Sequence, residues 1–359
     1  MIGIYCPEVP PVAGGVSDHT LALARALEAL GQAPVVLARR GDPARFAPLT
    51  CVVGLEPPAV AAAARAHGVS ACVIQYVPFL FARRGVSPAL VLGIHRLRAA
   101  GIRIAVVVHE AFVPFTRLPW LVTGVPQRLQ FGYLVRHASH VYAPLPRYAQ
   151  IARAYGGRGP RVEVAPIGAT LPVSPLTREA ARARLGLRAD QVAIGIFSPA
   201  ASGFAHQWIE TTARRLADHP EVVWVRFGFG SDRPLPGYPT GRNVIVMGTA
   251  EPATLAATMR ALDIAAAPYV DGLTMRRSGA MFALAHGIAT VSSQGHLFDP
   301  DLRALADCES DAEAFAARIA ELVQDPAARS RLAERAHGYG AQASIESLAR
   351  RMARDLGSA

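Results

Sequence analysis

A carboxylate, a glycine, a hydroxyl and two guanidinium groups fall close together at Asp271, Gly272, Thr274, Arg276 and Arg277. They follow Ile264 to Ala267, an apolar run that reads as a buried parallel strand. They precede Ser278 to Ala285, whose Ala, Met, Phe and Leu content reads as a buried helix, with Gly287 where its C-cap belongs. Ala289 to Val291 then begins another strand. Such a strand-loop-helix unit puts these groups at the C-terminal edge of a parallel sheet, where open α/β sheets bind ligands. Backbone N–H groups at the helix start, together with an arginine, make a phosphate site. Neighbouring helix residues point in different directions, so one of Arg276 and Arg277 is expected to reach phosphate, not both. Asp271 is either a site carboxylate or the cap of the helix that follows.

A second group lies in Val106 to Glu110, VVVHE, where His109 and Glu110 end a strand. His109 is read as a site residue against the simpler reading of a strand-end histidine hydrogen-bonded into the fold. Tyr76, in IQYVPFLF, follows another strand and either lines the same edge or packs in the core. His206 has a surface position as its simpler reading.

These residues need a scaffold, and the chain supplies two alternating β/α sets. Ile2 to Cys6 is a strand, Pro7 to Gly15 a Pro/Gly-rich loop, and Ser17 or Asp18 caps a helix whose apolar face carries Leu21, Leu27 and Leu30. Pro34 to Ala38 closes this βαβ unit. Gly14-Gly15 is not the dinucleotide fingerprint G-x-G-x-x-G, so no NAD site is read, and the simpler reading of the pair is that it only permits a tight turn. Strands at Ala71 to Gln75, Ile102 to Val108, Val141 to Ala143 and Val162 to Pro166 complete the first set. IGATLPVSPLT, from Ile167 to Thr177, suits a linker. The second set has strands at Val192 to Phe197, Val222 to Phe227 and Val244 to Met247 before the unit described first. The expected architecture is α/β, two doubly wound Rossmann-like domains facing a cleft: 1–170, 171–335, and a terminal segment 336–359 packing back toward the first. The last helix, Ser344 to Leu356, puts Leu348, Met352 and Leu356 on one side and carries Arg350, Arg351 and Arg354. It reads either as a docked terminal helix or as a basic helix in peripheral contact with the inner face of a membrane.

Composition narrows the function classes. At 359 residues and 51% hydrophobic, the chain can build two cores. The net charge of +10 comes entirely from arginine, with no lysine anywhere, so any phosphate grip must use arginine, backbone or a helix terminus. The arginines are dispersed, which argues against a nucleic-acid arm. Cys6, Cys51, Cys72 and Cys308 form no C-x-x-C pair and read as thiols of a cytoplasmic protein. No apolar run reaches the length of a membrane span, and MIGIYCPEVP reads as a strand rather than a signal peptide. The absence of G-x-S-x-G, H-E-x-x-H and Walker patterns lowers hydrolase, metalloprotease and ATPase readings.

With these residues in place, the chain resembles a GT-B glycosyltransferase of the large retaining family-4 group. Gly14-Gly15-Val16-Ser17-Asp18-His19-Thr20, followed by Leu23, Ala24 and Leu27, is similar to the loop and helix usually written GGVGDYTLHLARALAARGHEV. VVVHE is similar to the strand ending in an active-site histidine, and Ile194 to Gly203 to the strand and loop opening the donor domain. Pro268 to Gly295 is similar to P-x-x-D-G-x-S-x-R-R followed by an alanine-rich helix and A-x-G-x-P-V-V-T-T-x-G, the most specific match.

The resemblance implies metal-independent transfer of a sugar from a nucleotide diphosphate sugar, used as co-substrate with no other cofactor. The acceptor would be a sugar, a lipid-linked group or a small molecule, in polysaccharide, glycolipid or secondary-metabolite biosynthesis. It implies catalytic roles for His109, near the donor sugar, and Asp271, on sugar hydroxyls. Backbone N–H groups of Gly272, Leu273 and Thr274 would lie near sugar or phosphate, Gly248 near the base, and Gly14 and Gly15 near the diphosphate. Ser198 and Ser202, in the loop after the first donor-domain strand, and Arg276 or Arg277 would complete the donor site. Asp18, Tyr76 and Glu110 would border the acceptor.

Two departures stand out. Relatives carry G-R-x-x-x-x-K-G in that loop, whereas this chain has Phe197 to Gly203 with Ser202 in the lysine position and no arginine. Relatives also carry a ribose-holding glutamate where this chain has Ala280-Met281-Phe282-Ala283. A lost charge-assisted phosphate contact costs several kcal/mol unless replaced, and Arg276 and Arg277 are the nearest replacements. The departures keep a second reading open, a catalytically silent protein of the same fold that binds a sugar or a partner.

Overall fold

The computed structural model describes residues 1–12, 15–113, 115, 118–165, 172–201, 203–275, 277–342 and 344–357, with side chains at all of these except 118–121, 337, 338 and 340–342. Gly14, Ser202 and Arg276 lie outside the described residues. Contacts divide the chain into unit 1, residues 1–167 with 344–359, and unit 2, residues 168–343.

Unit 1 runs β1 (Ile2–Glu8), α1 (Gly15–Ala29), β2 (Val35–Arg40), β3 (Cys51–Val52), α2 (Val60–Ala66), β4 (Ala71–Tyr76), α3 (Pro78–Phe81), α4 (Pro88–Ala99), β5 (Arg103–Val108), α5 (Leu118–Arg136), β6 (His140–Ala143), α6 (Pro146–Gly156) and β7 (Arg161–Val164). Its seven strands pair in the order β3-β2-β1-β4-β5-β6-β7, all parallel. Unit 2 runs α7 (Arg178–Arg184), β8 (Val192–Phe197), α8 (His206–Arg215), β9 (Val222–Phe227), β10 (Val244–Val246), α9 (Pro252–Arg260), β11 (Ile264–Ala267), α10 (Ser278–Ala285), β12 (Ala289–Ser293), β13 (Asp307–Glu309), α11 (Ala312–Gln324) and α12 (Pro326–Gln342). Its order is β10-β9-β8-β11-β12-β13, again parallel throughout. Parallel strands need crossover helices, which cover both faces and explain the near-continuous apolar runs.

Each sheet reverses direction once, between β1 and β4 in unit 1 and between β8 and β11 in unit 2. At such a point the loops leaving two adjacent strands diverge, and a crevice opens beyond their C-terminal ends. The two-residue alternation of a strand decides which side chains meet there. On β4 and β5, Ala71, Val73, Ala105 and Val107 pack with Leu23 and Leu27 of α1. Cys72, Ile74, Tyr76, Val106 and Val108 face the other side, with Leu90 and Ile94 of α4. Gln75 and His109 continue the first series and so belong to the α1 face.

The last helix, α13 (Ile345–Leu356), is capped by Ser344, whose side chain accepts from Ser347 N–H, and belongs to unit 1. Leu348, Met352 and Leu356 are buried in the same cluster as Leu23 and Leu27 of α1. Arg351 donates to Val164 O and Arg103 to Leu356 O, each at 2.9 Å. Burying each large side chain contributes about 1.5–3 kcal/mol, so the apolar face is committed to the fold, and the membrane reading of this helix is overturned. Unit 2 extends through α12, so the division falls at 343/344 rather than 335/336. No helix among the described residues is long and apolar enough to cross a membrane.

Candidate functional site

In unit 1 the α1 face of the switch point gathers an unusual polar cluster. His109 follows β5, and its N–H donates to Tyr76 O at 3.0 Å, which continues the β4–β5 ladder one step past the strand. Its Nε2 lies 2.7 Å from Gln75 Oε1. His19, one turn into α1, meets His109 edge-on with ring centroids 4.9 Å apart. His19, Gln75 and Ser17 are buried, and both His19 nitrogens, Gln75 Nε2 and Ser17 Oγ have no hydrogen-bond partner among the described residues. Unpartnered buried polar atoms are costly and rare, and they collect at functional sites. Burial lowers the His109 pKa well below the usual imidazole value, and the nearby His19 lowers it further. Burial takes His19 down to about 4, with Gln75 partly offsetting it. Both rings are therefore neutral near pH 7, able to exchange hydrogen bonds but not to supply a positive charge.

The other expected residues of unit 1 divide. Gly15 opens α1 at the surface and Asp18 lies exposed in its first turn, while Glu110 is partly buried beside His109. Tyr76 does not border this edge. It is fully buried on the opposite face, packs on Phe81 and Phe131, and its hydroxyl accepts from Gln130 Nε2 at 3.2 Å. Strand alternation is the physical reason, since Gln75 rather than Tyr76 shares the face of His109.

In unit 2 the switch point is charged. The loop after β8 and the loop after β11 are tied together by Ala205 N–H to Pro268 O at 3.0 Å, Val270 N–H to Gly203 O at 2.8 Å, and a bridge between Phe204 and Tyr269. Arg277, just before α10, pairs with Asp271 and lies 4.5 Å over the Tyr269 ring. Asp271 therefore does not cap α10. The Arg277 guanidinium also covers the β8 loop, because a Cβ on Gly203 would sit 2.8 Å from it. Gly203 has φ +78, so glycine meets both the turn and the close approach. Burial pushes the Tyr269 hydroxyl up to about 12, against the lowering effect of Arg277.

The Asp271 loop is pinned from the β12 side. Leu297 N–H donates to Asp271 O at 2.9 Å, Asp299 N–H to Leu273 O at 3.0 Å, and Met275 N–H to Asp299 Oδ2 at 3.2 Å. This pinning corrects one expectation. Gly272 N–H is engaged by Tyr269 O at 3.0 Å and Leu273 N–H by Ser293 O at 2.9 Å, so neither is directed at a ligand. Leu273 and Thr274 are buried. Ser198, at φ 48, accepts Phe229 N–H on its hydroxyl at 3.1 Å. Gly248 O accepts Gly228 N–H at 2.7 Å, and a Cβ added at Gly248 would meet nothing closer than Asp232 at 3.9 Å. His206 Nδ1 is 3.0 Å from the Tyr238 hydroxyl, a structural contact. Ala280, Met281, Phe282 and Ala283 are all buried in the core, so no side chain there holds a ribose. Three participants carry no role in the sequence reading: His19, Gln75 and Tyr269.

No protein-family model matches this chain, and no curated protein does. Solved structures match over its whole length. Sucrose-phosphate synthase from Thermosynechococcus elongatus is 19% identical with a TM-score of 0.65, covering 98% of this chain and 97% of that one. Anabaena HepE, solved in complex with UDP, is 16% identical with a TM-score of 0.67 and full coverage of both chains. A putative UDP-N-acetylglucosamine 2-epimerase from Listeria monocytogenes is 9% identical with a TM-score of 0.62, covering 100% of this chain and 97% of that one. Two parallel sheets in this order, matched end to end by these structures, give the chain the two-domain GT-B fold.

Proposed function

We propose that this chain is a glycosyltransferase that moves a sugar from a nucleotide diphosphate sugar to an acceptor, without a metal ion and with retention of configuration. The observation that carries the reading is Arg277. Its guanidinium reaches from the start of α10 across to Gly203, in the loop where the enzymes this chain resembles carry arginine and lysine. An arginine in this place does the work of the missing lysine.

In this mechanism the nucleotide diphosphate leaves as negative charge builds on its bridging oxygen. Arg277 and the N-terminal end of α10 stabilise that charge in place of a metal. Arg277 is paired with Asp271. The diphosphate competes for the guanidinium, and the Asp271 carboxylate turns to accept hydrogen bonds from sugar hydroxyls. His109, neutral and held by Gln75, contacts a sugar hydroxyl. Asp18 and Glu110 border the acceptor. The acceptor is a sugar, a lipid-linked group or a small molecule.

The Asp271–Arg277 pair, with an apolar Ala280 to Ala283 in place of an acid, also favours a second reading, a binding module without turnover. The test is thermal unfolding with UDP-, GDP-, ADP- and TDP-sugars, with and without EDTA. UDP-sugars lead the panel because a neighbour of this fold was solved with UDP. A ligand that binds only the folded state raises its melting temperature. A shift with one nucleotide, indifferent to EDTA and accompanied by slow release of free nucleotide diphosphate, supports the transferase. A shift without release supports the binding module, and no shift at millimolar concentration overturns the transferase for these donors and favours a silent protein that binds something else.

A further inference from the structure

We propose that Gln75 and His19 are positioning residues that fix which nitrogen of His109 carries its proton, leaving the other as a hydrogen-bond acceptor for a sugar hydroxyl. The identity of the ligand rests on the transferase reading, whereas the proton arrangement does not.

The geometry is a chain of three side chains from three elements. Strand alternation turns Gln75 of β4 and His109 after β5 onto the α1 face, where His19 of α1 meets the His109 ring edge-on. A neutral imidazole has one N–H and one bare nitrogen. With Gln75 Oε1 accepting at 2.7 Å, the His109 proton is on Nε2, and Nδ1 is left as an acceptor. The other end of the same amide, Gln75 Nε2, is buried without a hydrogen-bond partner, as are both nitrogens of His19, whose titration Gln75 also influences. An amide that accepts a hydrogen bond from His109 at its oxygen presents N–H donors at its other end, and a bare nitrogen of His19 is the acceptor we assign to them.

Reversing the amide would reverse all three: His19 would donate to the oxygen, and His109 would accept at Nε2 and donate at Nδ1. The two imidazoles are therefore coupled through the amide, so setting one sets the other. Removing His19 leaves the amide without a partner at its outer end in either orientation, and the choice is lost. A fixed acceptor at Nδ1 selects a hydroxyl that donates and rules out His109 as the proton donor to the leaving group.

The experiment is a two-bond proton–nitrogen correlation spectrum of the full chain with nitrogen-15 histidine, the His109 signals being assigned by their loss in His109→Phe. The expected spectrum has His109 protonated at Nε2, with Nδ1 at the shift of a bare nitrogen. In His19→Phe the His109 nitrogens move toward averaged values, and kcat/KM for the nucleotide sugar falls about tenfold, mostly in kcat. His19→Gln, which restores an acceptor, keeps the wild-type pattern. Averaged nitrogens in the native chain, a proton on Nδ1, or a His109 pattern unchanged in His19→Phe would overturn the proposal. If His19→Phe does not fold, Gln75→Met poses the same question, and the native spectrum needs no variant beyond the assignment. A fixed Nε2–H in a chain that binds no nucleotide sugar sinks the transferase reading and leaves the coupling standing. Turnover with averaged nitrogens does the reverse.

Discussion

At the β1/β4 edge of unit 1 the polar groups are neutral, buried and short of partners, with His19, Gln75 and Ser17 holding unpaired atoms against His109. At the β8/β11 edge of unit 2 they are ionised and paired, Asp271 with Arg277 over Tyr269. The same topological position is thus built in two ways. A self-paired charged site waits for a stronger anion to take one member of the pair, because a diphosphate offers a guanidinium more than one carboxylate does. A desolvated neutral site offers hydrogen bonds of fixed direction, suited to hydroxyls rather than charge. The contrast fits the proposed roles, in which the guanidinium of unit 2 meets phosphate and the neutral imidazole of unit 1 meets a sugar hydroxyl.

The largest expected effect breaks the charged side by its backbone. Gly272 has φ +93, and a Cβ there would lie 2.7 Å from Gly295 N. Gly272→Ala should cost about 3 kcal/mol in denaturant unfolding and loosen the Asp271 loop. A cost below about 1 kcal/mol would mean that the two loops are not interlocked as described.

The neutral side should show itself in acid. His19 and His109 have pKa values depressed by folding, so between the unfolded value of 6.5 and about 4 the unfolded chain binds more protons. Stability therefore falls as pH drops through that window and is fully present above it. At pH 5 the His19 contribution alone is about 2 kcal/mol. His140 and His286 are depressed by burial as well, so the diagnostic quantity is the difference between the native chain and His19→Phe. The acid sensitivity should be shallower in the variant, and identical slopes would count against a buried neutral His19.

The smallest effect sharpens the boundary of the unit 1 site. Tyr76→Phe should lose only the Gln130 contact, about 1 kcal/mol, with nucleotide and sugar binding unchanged. A change in ligand affinity would return Tyr76 to the site.

Much of this was legible in residue pattern. Apolar runs separated by helical stretches announce both parallel sheets, and Pro268 to Gly272 marks the loop that carries Asp271. The α5 helix escapes that reading because Pro126 lies inside it, breaking the signal of a continuous helix. Tyr76 was the wrong member of a pair. A glutamine inside the apolar run ACVIQY was the signal missed, because a polar side chain on a buried strand must find a partner. His19 gave no signal of its own, since only the packing of α1 onto β4 and β5 brings it to His109. The engagement of Gly272 and Leu273 N–H groups depends on the loop after β12, distant in sequence, and no local pattern reports it.

The most direct measurement is a calorimetric titration of free nucleotide diphosphates into the native chain, Asp271→Asn and Arg277→Ala. The expected result is one nucleotide that binds the native chain with or without EDTA, about tenfold more tightly in Asp271→Asn, where the guanidinium is released, and about a hundredfold more weakly in Arg277→Ala. Equal affinity in all three proteins, or weaker binding in Asp271→Asn than in the native chain, would contradict a diphosphate held by Arg277 in competition with Asp271.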